Sequence, residues 1–293
     1  LDDENIKYFF EPKIIHQYVY TLRLKKQVPV IKNLYNITNI KINETGTNFL
    51  FNDEKFKMPL IGEFNVYNAA AAICLALSQG IKMEQIKNAL LQIKAPPGRL
   101  EIIDKGQNFT VVIDYAHEPK SLKEIYKTLV NLRKFSANNA EIHKISSVQR
   151  RKHSQLICVL GSQGGGRDKW KRQKMGEIAG QYCDKIILTN EDPYDENPNI
   201  ILNDIEIGFL QKQKFLTNNQ ARLITNKTKF KIQKNYWKIL DRYEAIKKAI
   251  SLAQKGDTVI LTGKAGEVWM CIEDNKKIKW DEKKVVEEIL MAN

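Results

Sequence analysis

Two side chains that could move a proton lie close together where a predicted strand ends. Residues 112–119 read VIDYAHEP, so Asp114 closes an apolar run and His117 follows it, two residues before Pro119. Carboxylates and imidazoles are common general acids and bases. A plain turn fits this stretch as well, because proline is favoured in the first turn of a helix. This stretch alone does not distinguish a functional site from a structural turn, so the other predicted strand ends are needed.

A glycine-rich loop, GSQGGGRDKWKR at residues 161–172, follows a second predicted strand and opens a helix. The backbone N–H groups of such a loop can hold an anion, and Arg167 adds a forked donor suited to a carboxylate or a phosphate. The glycines do not follow the GxGxxG pattern of dinucleotide-binding folds. The loop is therefore either a ligand loop or a tight structural turn.

Acidic residues crowd a third strand end, in TNEDPYDENP at residues 189–198. A helix N-terminus favours acidic side chains, which explains Asp195 and Glu196. It explains Glu191 and Asp192 less well, because these two residues come directly after the strand.

A fourth strand end carries TGKAGE at residues 262–267, in which Gly263 and Gly266 flank the lysine and Glu267 follows. A left-handed turn with solvated charges is the alternative interpretation. In open parallel sheets, ligands bind outside the carboxyl ends of the strands. The four strand ends are therefore the places where the sequence predicts a site.

The elements that would position these ends alternate along the second part of the chain. Alternation of this kind favours a Rossmann-like, mostly parallel sheet with helices on both faces. We predict strands at residues 101–104, 110–115, 156–161, 185–190 and 257–263, and helices at 119–135, 169–183, 197–211, 242–254 and 281–291.

The first part of the chain has a different organisation. Short strands with polar breaks are predicted between residues 8 and 59, and helices at 65–81 and 83–93. KAPPGR at 94–99 cannot continue a helix, since Pro-Pro-Gly interrupts it. We therefore predict two domains, residues 1–97 and 98–293, in an α/β protein.

Composition excludes several classes of protein. The 293 residues are 43% hydrophobic and carry a net charge of +13, yet no apolar run is long enough to span a membrane. The lysines are scattered among acids, and the densest basic stretch, VQRRKH at 148–153, lies in a polar segment, so nucleic-acid binding is not expected. An anionic small substrate suits a basic surface. The N-terminal residues lack the features of a signal peptide.

Cysteine and histidine spacing gives no sign of a metal centre. The four cysteines lie at 74, 158, 183 and 271 without CxxC spacing, and the four histidines show neither HxxxH nor HxH spacing. We therefore expect structural thiols in a reducing cytoplasm, with neither a disulfide framework nor a zinc site.

Taken together, six segments resemble the C-terminal portion of the Mur ligases, ATP-dependent amide-bond ligases of peptidoglycan synthesis. The closest resemblance is to the MurE type, the UDP-N-acetylmuramoyl-tripeptide synthetases. The segments occur in collinear order over about residues 60–270, whereas residues 1–59 fit only loosely, as the strand-rich end of the family's ATPase domain. They are GEFNVYNAAAA (62–72), PPGRLEII (96–103), VIDYAHEPKSL (112–122), GGGRDKWKRQKMGEIA (164–179), TNEDPYDENP and TGKAGE, similar to the family's GxFNxxNxxAA, PGRME, DYAHTPDAL, GGDRDxGKRPxMGxIA, DNPR and GKGHE.

The resemblance implies a role for individual residues on the ATP side. Asn65 and Asn68 would contact the adenine. Arg99 and Asp114 would hold the nucleotide from the hinge side, with Asp114 at the ribose hydroxyls. His117 would lie near the transferred phosphate.

On the amino-acid side, the resemblance assigns Arg167 to a carboxylate of the incoming amino acid. The side-chain and amine pocket would be lined by Glu191, Asp192, Gly263 and Glu267. The reaction implied is phosphorylation of the terminal carboxylate of UDP-MurNAc-L-Ala-D-Glu by ATP. Attack of an amine on the acyl phosphate follows.

The pocket departs from the family pattern at several positions. Tyr194 stands where the members that add diaminopimelate carry an arginine, and tyrosine cannot supply a bidentate cation. Glu191 and Asp192 replace an Asp-Asn pair. A pocket with more acid and no arginine predicts a preference for a cationic side chain, lysine or ornithine, over diaminopimelate. Gly266 replaces a histidine, which would loosen the pocket.

No GxxxxGK[ST] phosphate loop occurs in the 293 residues. In the family, that loop, a carbamylated lysine that helps to hold Mg²⁺ and the domain that grips the UDP-sugar precede the segment seen here. Magnesium ligands are therefore expected mainly outside this chain. We expect the chain alone to be an inactive portion that needs the missing N-terminal and P-loop segments.

Two other classes stay open at this stage. Folylpolyglutamate or poly-γ-glutamate ligases share the architecture but lack the DYAH and GKxxE pairing at these positions. A nucleotide-binding remnant without catalytic activity would also carry some of these motifs.

Overall fold

The computed structural model describes residues 18–22, 33–142, 154–219, 230–274 and 276–292. The chain divides into two compact units, residues 1–95 and 96–293. The predicted basic stretch at 148–153 and the first residues of the chain lie outside the described residues.

The first unit contains a four-stranded sheet in the order β1-β2-β3-β4. β1 and β2 are parallel, whereas β2, β3 and β4 form an antiparallel meander. Its inward faces are aromatic and aliphatic, and Phe49, Phe51 and Phe56 are buried among them. The strands are β1 (Tyr18–Thr21), β2 (Asn33–Asn43), β3 (Gly46–Phe51) and β4 (Glu54–Met58).

Two helices cover this sheet, α1 (Glu63–Ser78) and α2 (Met83–Gln92). α1 buries Val66, Ala70 and Ile73 in the same core as the phenylalanines, since these residues recur at helical spacing on one face. The predicted helices at 65–81 and 83–93 are found within three residues of their ends.

The second unit is built on a six-stranded sheet in the order β5-β6-β10-β7-β8-β9. β6, β10, β7, β8 and β9 are parallel to one another, and β5 is an edge strand antiparallel to β6. The strands are β5 (Glu101–Ile103), β6 (Thr110–Asp114), β7 (Leu156–Leu160), β8 (Lys185–Leu188), β9 (Tyr236–Lys238) and β10 (Thr258–Thr262).

Helices lie against the central strands, which explains why the strands read as continuous apolar runs. All five residues of β7 and of β10 are buried, as expected when both faces of a parallel sheet are covered. The helices are α3 (Pro119–Ile142), α4 (Trp170–Tyr182), α5 (Pro198–Asn219), α6 (Arg242–Leu252) and α7 (Glu282–Met291). α3, α4 and α5 pack in succession, while α6 and α7 complete the core around Val111, Val159 and Leu261.

The predicted Rossmann-like, mostly parallel sheet is confirmed, and several elements differ from the prediction. α3 and α5 run further than predicted, and the weakly patterned segment 212–238 contains the end of α5 and the short strand β9. The sequence also gave no sign of a two-stranded antiparallel hairpin, β11 (Trp269–Cys271) with β12 (Lys277–Lys279). Strands of three residues carry too little periodicity to be recognised.

One expectation about the cysteines is wrong. Cys158 and Cys183 form a disulfide, with 6.1 Å between their Cα atoms, whereas Cys74 and Cys271 are free. Cys158 lies in β7 and Cys183 follows α4, which returns the chain to the start of the neighbouring strand β8. A spacing of 25 residues in sequence does not show this proximity. Within the described residues, no helix is both long enough and apolar enough to span a membrane.

Candidate functional site at the strand ends

Four neighbouring parallel strands of the second unit bring the predicted residues to one edge of the sheet. β6, β10, β7 and β8 lie side by side and point the same way, so the residues that follow them share the carboxyl edge. Arg242 ties two of these ends together. Its guanidinium donates to the carbonyl oxygens of Asn190 and Thr262 at 3.0 and 2.9 Å.

A cavity of about 600 Å³ opens at this edge. Five of its lining residues were predicted as site residues, namely His117, Arg167, Asp192, Tyr194 and Glu267. The other seven are Tyr115, Gln163, Gly266, Val268, Trp269, Cys271 and Lys277. Four strand ends and the β11–β12 hairpin therefore line one space.

Lys264 links the two carboxylates that line the cavity, those of Asp192 and Glu267. It is fully buried, and its Nζ donates to both carboxylate oxygens of Asp192 at 2.9 Å and also to Glu267. Asp192 accepts a further hydrogen bond from the backbone N–H of Cys271 at 2.7 Å. The two carboxylates thus share one ammonium group.

Glu267 also connects to the Asp114–His117 segment. The hydroxyl of Tyr115 donates to Glu267 Oε1 at 2.6 Å. This hydrogen bond is the main cause that raises the pKa of Tyr115 to about 12. Burial acts to raise the pKa of Glu267, but hydrogen bonds from Lys264 and Tyr115 outweigh it, so the pKa of Glu267 is lowered. Glu267 is therefore ionised at neutral pH.

His117 lies beside the Tyr115 ring, at 4.8 Å between ring centroids. Its Nδ1 is 2.8 Å from the carbonyl oxygen of Tyr115. Because a carbonyl oxygen only accepts, Nδ1 carries the hydrogen in this contact, which leaves Nε2 to exchange a proton with a ligand. On the same tyrosine, the guanidinium of Arg99 lies 4.7 Å from the ring centroid.

Asp114 is buried at the end of β6, and its carboxylate binds backbone N–H groups. Its two carboxylate oxygens accept hydrogen bonds from the N–H groups of Leu100 and Ala116 at 2.7 and 2.8 Å. Burial raises its pKa, while these two hydrogen bonds and the charge of Arg99 oppose the rise. The predicted contact of Asp114 with ribose hydroxyls stays a prediction.

Glu191 occupies a closed position behind the cavity. It is 1% exposed, and among the described residues neither carboxylate oxygen has a hydrogen-bond partner. Burial raises its pKa to about 7, although Arg242, Lys264 and Lys171 act against the rise. A Cβ on Gly263, whose φ is +98°, would lie 2.2 Å from Glu191 Oε2. The absence of a side chain at Gly263 therefore leaves room for the carboxyl group of Glu191.

The glycine-rich loop after β7 packs on the loop after β8. A Cβ at Gly164 would lie 2.1 Å from the carbonyl oxygen of Pro193, so the two backbones approach closely. Buried Arg172 holds both loops, because it donates to the carbonyl oxygen of Gln163 at 3.0 Å and pairs with Glu196. Arg167 is exposed at the tip, and no carboxylate of the described residues lies within ion-pair distance of it.

The two predicted adenine contacts, Asn65 and Asn68, lie on α1 of the first unit. Asn65 Nδ2 donates to the carbonyl oxygen of Ile61 at 2.9 Å, and Asn68 Nδ2 donates to Asn65 Oδ1 at 3.2 Å. Their role with ATP stays a prediction.

The acidic groups do not form a cation site by themselves. In the described part of the chain, no three His, Cys, Asp or Glu residues are grouped as metal ligands. Asp192 and Glu267 are bound to Lys264 instead. These residues do not fit a magnesium ion, so no step through the metal is derived from them.

Four residues of the site were missed or left without a role by the sequence. Lys264 was noted only as the lysine between two glycines, and Tyr115 only as part of a segment. Arg242 lies in a helix that carries no motif, and Lys277 lies in the unpredicted hairpin. The signal in the sequence was a lysine between two glycines, directly after a predicted strand.

Comparison with known proteins identifies the family of the chain. The family profile for the Mur ligase middle domain matches residues 1–76, and that for the Mur ligase glutamate ligase domain matches residues 134–265. The UDP-N-acetylmuramoyl-L-alanyl-D-glutamate--2,6-diaminopimelate ligase of Syntrophomonas wolfei is 35% identical over 260 residues, 87% of this chain and 45% of the relative. The enzyme of that name from Caldanaerobacter subterraneus is 38% identical over 237 residues, 81% of this chain and 40% of the relative.

Solved structures show the same fold. A diaminopimelate ligase of this name is 26% identical, with a TM-score of 0.51 over 93% of this chain and 47% of the other. The folylpolyglutamate synthase of Mycobacterium tuberculosis is 15% identical, with a TM-score of 0.51. The match covers 79% of this chain and 47% of the synthase chain. That second likeness shows the fold alone. The chain spans less than half the length of the curated relatives named here. From its middle-domain and C-terminal-domain sequence, the chain belongs to the Mur ligase family, and its relatives are of the MurE type.

Proposed function

We propose that the protein containing this chain is an ATP-dependent ligase that adds a diamino acid to UDP-MurNAc-L-Ala-D-Glu in peptidoglycan synthesis. The chain would supply the surface that binds the incoming amino acid. The observation that carries the proposal is the cavity at the strand ends, where Lys264 holds Asp192 and Glu267 in place and Arg167 pairs with no carboxylate of the described residues.

The residues of the chain have separate tasks in this proposal. Arg167 binds a carboxylate of the amino acid, because a guanidinium matches a carboxylate with two parallel hydrogen bonds. Asp192 and Glu267 face the same cavity and accept hydrogen bonds from an ammonium group of the substrate. Nε2 of His117 is proposed to lie near the transferred phosphate. Positioning, charge neutralisation and exclusion of water account for the catalysis expected of these groups.

ATP supplies the phosphoryl group that activates the terminal carboxylate. The substrate amine then displaces inorganic phosphate and forms the amide bond, with loss of a proton from nitrogen. Asn65, Asn68, Arg99 and Asp114 are proposed to contact the nucleotide. Mg²⁺ is proposed to bind mainly to groups outside this chain. We propose that the protein acts in the cytoplasm, without a nucleic-acid or membrane partner.

The preference for lysine expected from the sequence is not retained. The relatives named above are diaminopimelate ligases, and the acidic pocket that suggested lysine is already neutralised in part by Lys264. The cations Arg167 and Lys277 line the same cavity. Diaminopimelate, which carries one more carboxylate than lysine, is therefore the substrate we propose.

A ligation assay on the protein translated from the complete reading frame tests this function. With ATP, UDP-MurNAc-L-Ala-D-Glu and diaminopimelate, we expect ADP, phosphate and a tripeptide product detectable by mass spectrometry. Arg167→Met should raise the KM for diaminopimelate about tenfold or more, since a charge-assisted hydrogen bond is lost. Lys174→Met is the matched control, because Lys174 is paired with Glu177 on the exposed surface of α4.

Phosphate release that does not depend on the amino acid would contradict the proposal. So would transfer of glutamate to a folate or a polyglutamate substrate in place of the diamino acid. No observation on this chain favours those ligases or a non-catalytic remnant, because the likeness to folylpolyglutamate synthase shows the fold alone.

A further inference from the structure

The charges around the cavity are not balanced by the pocket itself. Three cationic side chains, Arg167, Lys264 and Lys277, stand against the two carboxylates of Asp192 and Glu267. The ammonium of Lys264 is bound to both carboxylates and offsets part of their charge. In the part of the chain that the structure describes, neither of these two cations has an ion pair. The cavity therefore has two cations that lack an anionic partner.

The hairpin fixes the position of Lys277 relative to the pocket. Lys277 lies directly opposite Cys271 in the antiparallel pair of β11 and β12, so the two side chains are on the same face. Trp269, two residues before Cys271, shares that face, and all three residues line the cavity.

The hairpin is in turn attached to the loop after β8. The N–H of Cys271 donates to Asp192, and the N–H of Tyr194 donates to the carbonyl oxygen of Cys271 at 3.3 Å. The nearby Cys271 side chain is the main cause of a raised pKa of Tyr194. Lys277, Cys271 and Tyr194 therefore form one wall of the cavity, and Arg167 lines the same space.

We propose that Lys277 is a specificity-determining residue that binds one carboxylate of a substrate with two carboxylates, while Arg167 binds the other. The inference rests on the proposed function, since it concerns the amino acid that the same cavity takes. It assigns the choice between diaminopimelate and lysine to a hairpin residue. Lysine has the structure of diaminopimelate without one carboxylate, so it leaves one of the two cations without a partner.

Calorimetric titration of the protein translated from the complete reading frame, with diaminopimelate and with lysine, tests the inference. For the unmodified protein, we expect diaminopimelate to bind about tenfold or more tightly than lysine. Lys277→Met should remove most of this ratio by weakening diaminopimelate, and should leave the dissociation constant for lysine within about twofold.

Lys279→Met is the matched control. Lys279 lies two residues along the same strand, on the same face and with the same charge, but does not line the cavity. It should leave the ratio unchanged. If Lys277→Met also leaves the ratio unchanged, or weakens both amino acids equally, the inference is wrong and the proposed function stands. If the unmodified protein binds neither amino acid, both are overturned.

Discussion

Two buried cations near the carboxyl edge of the second sheet, Arg242 and Lys264, are held in contrasting ways. Arg242 bonds to both oxygens of Glu282 at 2.9 and 2.6 Å and to two backbone carbonyl oxygens, and both side chains of the pair are fully buried. Lys264 is equally buried, but its carboxylate partners Asp192 and Glu267 line an open cavity. The first network is closed on itself, whereas the second has lone pairs that face solvent or a ligand.

The contrast separates stability from binding. The Arg242–Glu282 pair joins α6 to α7 and both to the ends of β8 and β10. It sets the positions of the loops that follow. The Lys264 network keeps two carboxylates at a fixed place in the cavity, where they can accept hydrogen bonds from a substrate. Variants of the Arg242 network should therefore change mainly the free energy of unfolding, and variants of the Lys264 network should change mainly amino-acid binding.

The largest expected effect is on the closed pair. In Arg242→Met, the buried carboxylate of Glu282 loses its cation and keeps the hydrogen bond from the indole N–H of Trp280. We expect the free energy of unfolding to fall by roughly 3–5 kcal/mol, because one partner of a buried ion pair is left uncompensated. Urea denaturation followed by fluorescence measures the change.

The matched control is Lys276→Met, which removes an exposed pair with Asp274 and should change the stability by less than about 1 kcal/mol. A double variant, Arg242→Met with Glu282→Leu, should recover much of the loss, since the buried carboxylate of Glu282 is then removed as well. Equal free energies of unfolding for Arg242→Met and Lys276→Met would contradict the structural role of Arg242.

A smaller effect is expected where Glu191 meets the loop after β10. Gly263→Ala places a methyl group 2.2 Å from Glu191 Oε2 and also requires φ of +98°. Gly256→Ala requires a φ of +85° but meets nothing within 4 Å, so it should lower the stability by about 1–2 kcal/mol from the backbone alone. Gly263→Ala should lower it by roughly 1–3 kcal/mol more, because of the clash.

The same pair of variants distinguishes binding from stability. Gly263→Ala should also weaken amino-acid binding, whereas Gly256→Ala should leave it unchanged. If the two alanine variants unfold at the same denaturant concentration, the close packing of Gly263 and Glu191 is wrong.

The smallest expected effect depends on pH. The pKa of Glu191 is raised to about 7 in the folded chain, and it is about 4.3 when unfolded. Between about pH 4.3 and pH 7, Glu191 is protonated in the folded state but ionised in the unfolded state. The free energy of unfolding therefore falls as the pH rises through this range. The unfavourable contribution of Glu191 is complete above about pH 7 and absent below about pH 4.

Glu191→Gln removes this titration. Relative to the unmodified chain, the variant should gain roughly 1–3 kcal/mol of stability on going from pH 5 to pH 8. Denaturant unfolding at the two pH values measures the difference. A difference between the two proteins that is the same at pH 5 and pH 8 would show that Glu191 titrates normally.

The sequence predicted the strand ends because their signals are local. An apolar strand followed by Asp114, by the glycine-rich loop, by Glu191 or by Gly263 can be recognised within a few residues, and parallel topology then brings these ends together. The motifs also identified the family.

The pairings across the site could not be predicted, because they are not local. Lys264 reaches Asp192 over 72 residues of sequence, and Tyr115 reaches Glu267 over 152. The expected acidity of the pocket was overestimated for this reason, since the sequence did not show which lysine would neutralise it. The β11–β12 hairpin, and with it Lys277, lacked a periodic pattern long enough to be recognised.

The central claim is that the cavity between Arg167, Asp192, Glu267 and Lys277 binds the incoming amino acid. A crystal structure of the chain grown with saturating diaminopimelate tests it most directly. The account predicts density for the ligand in this cavity, with a carboxylate on Arg167 and an ammonium group within hydrogen-bond distance of Asp192 or Glu267. Density for diaminopimelate at another surface, with this cavity filled only by water, would contradict it.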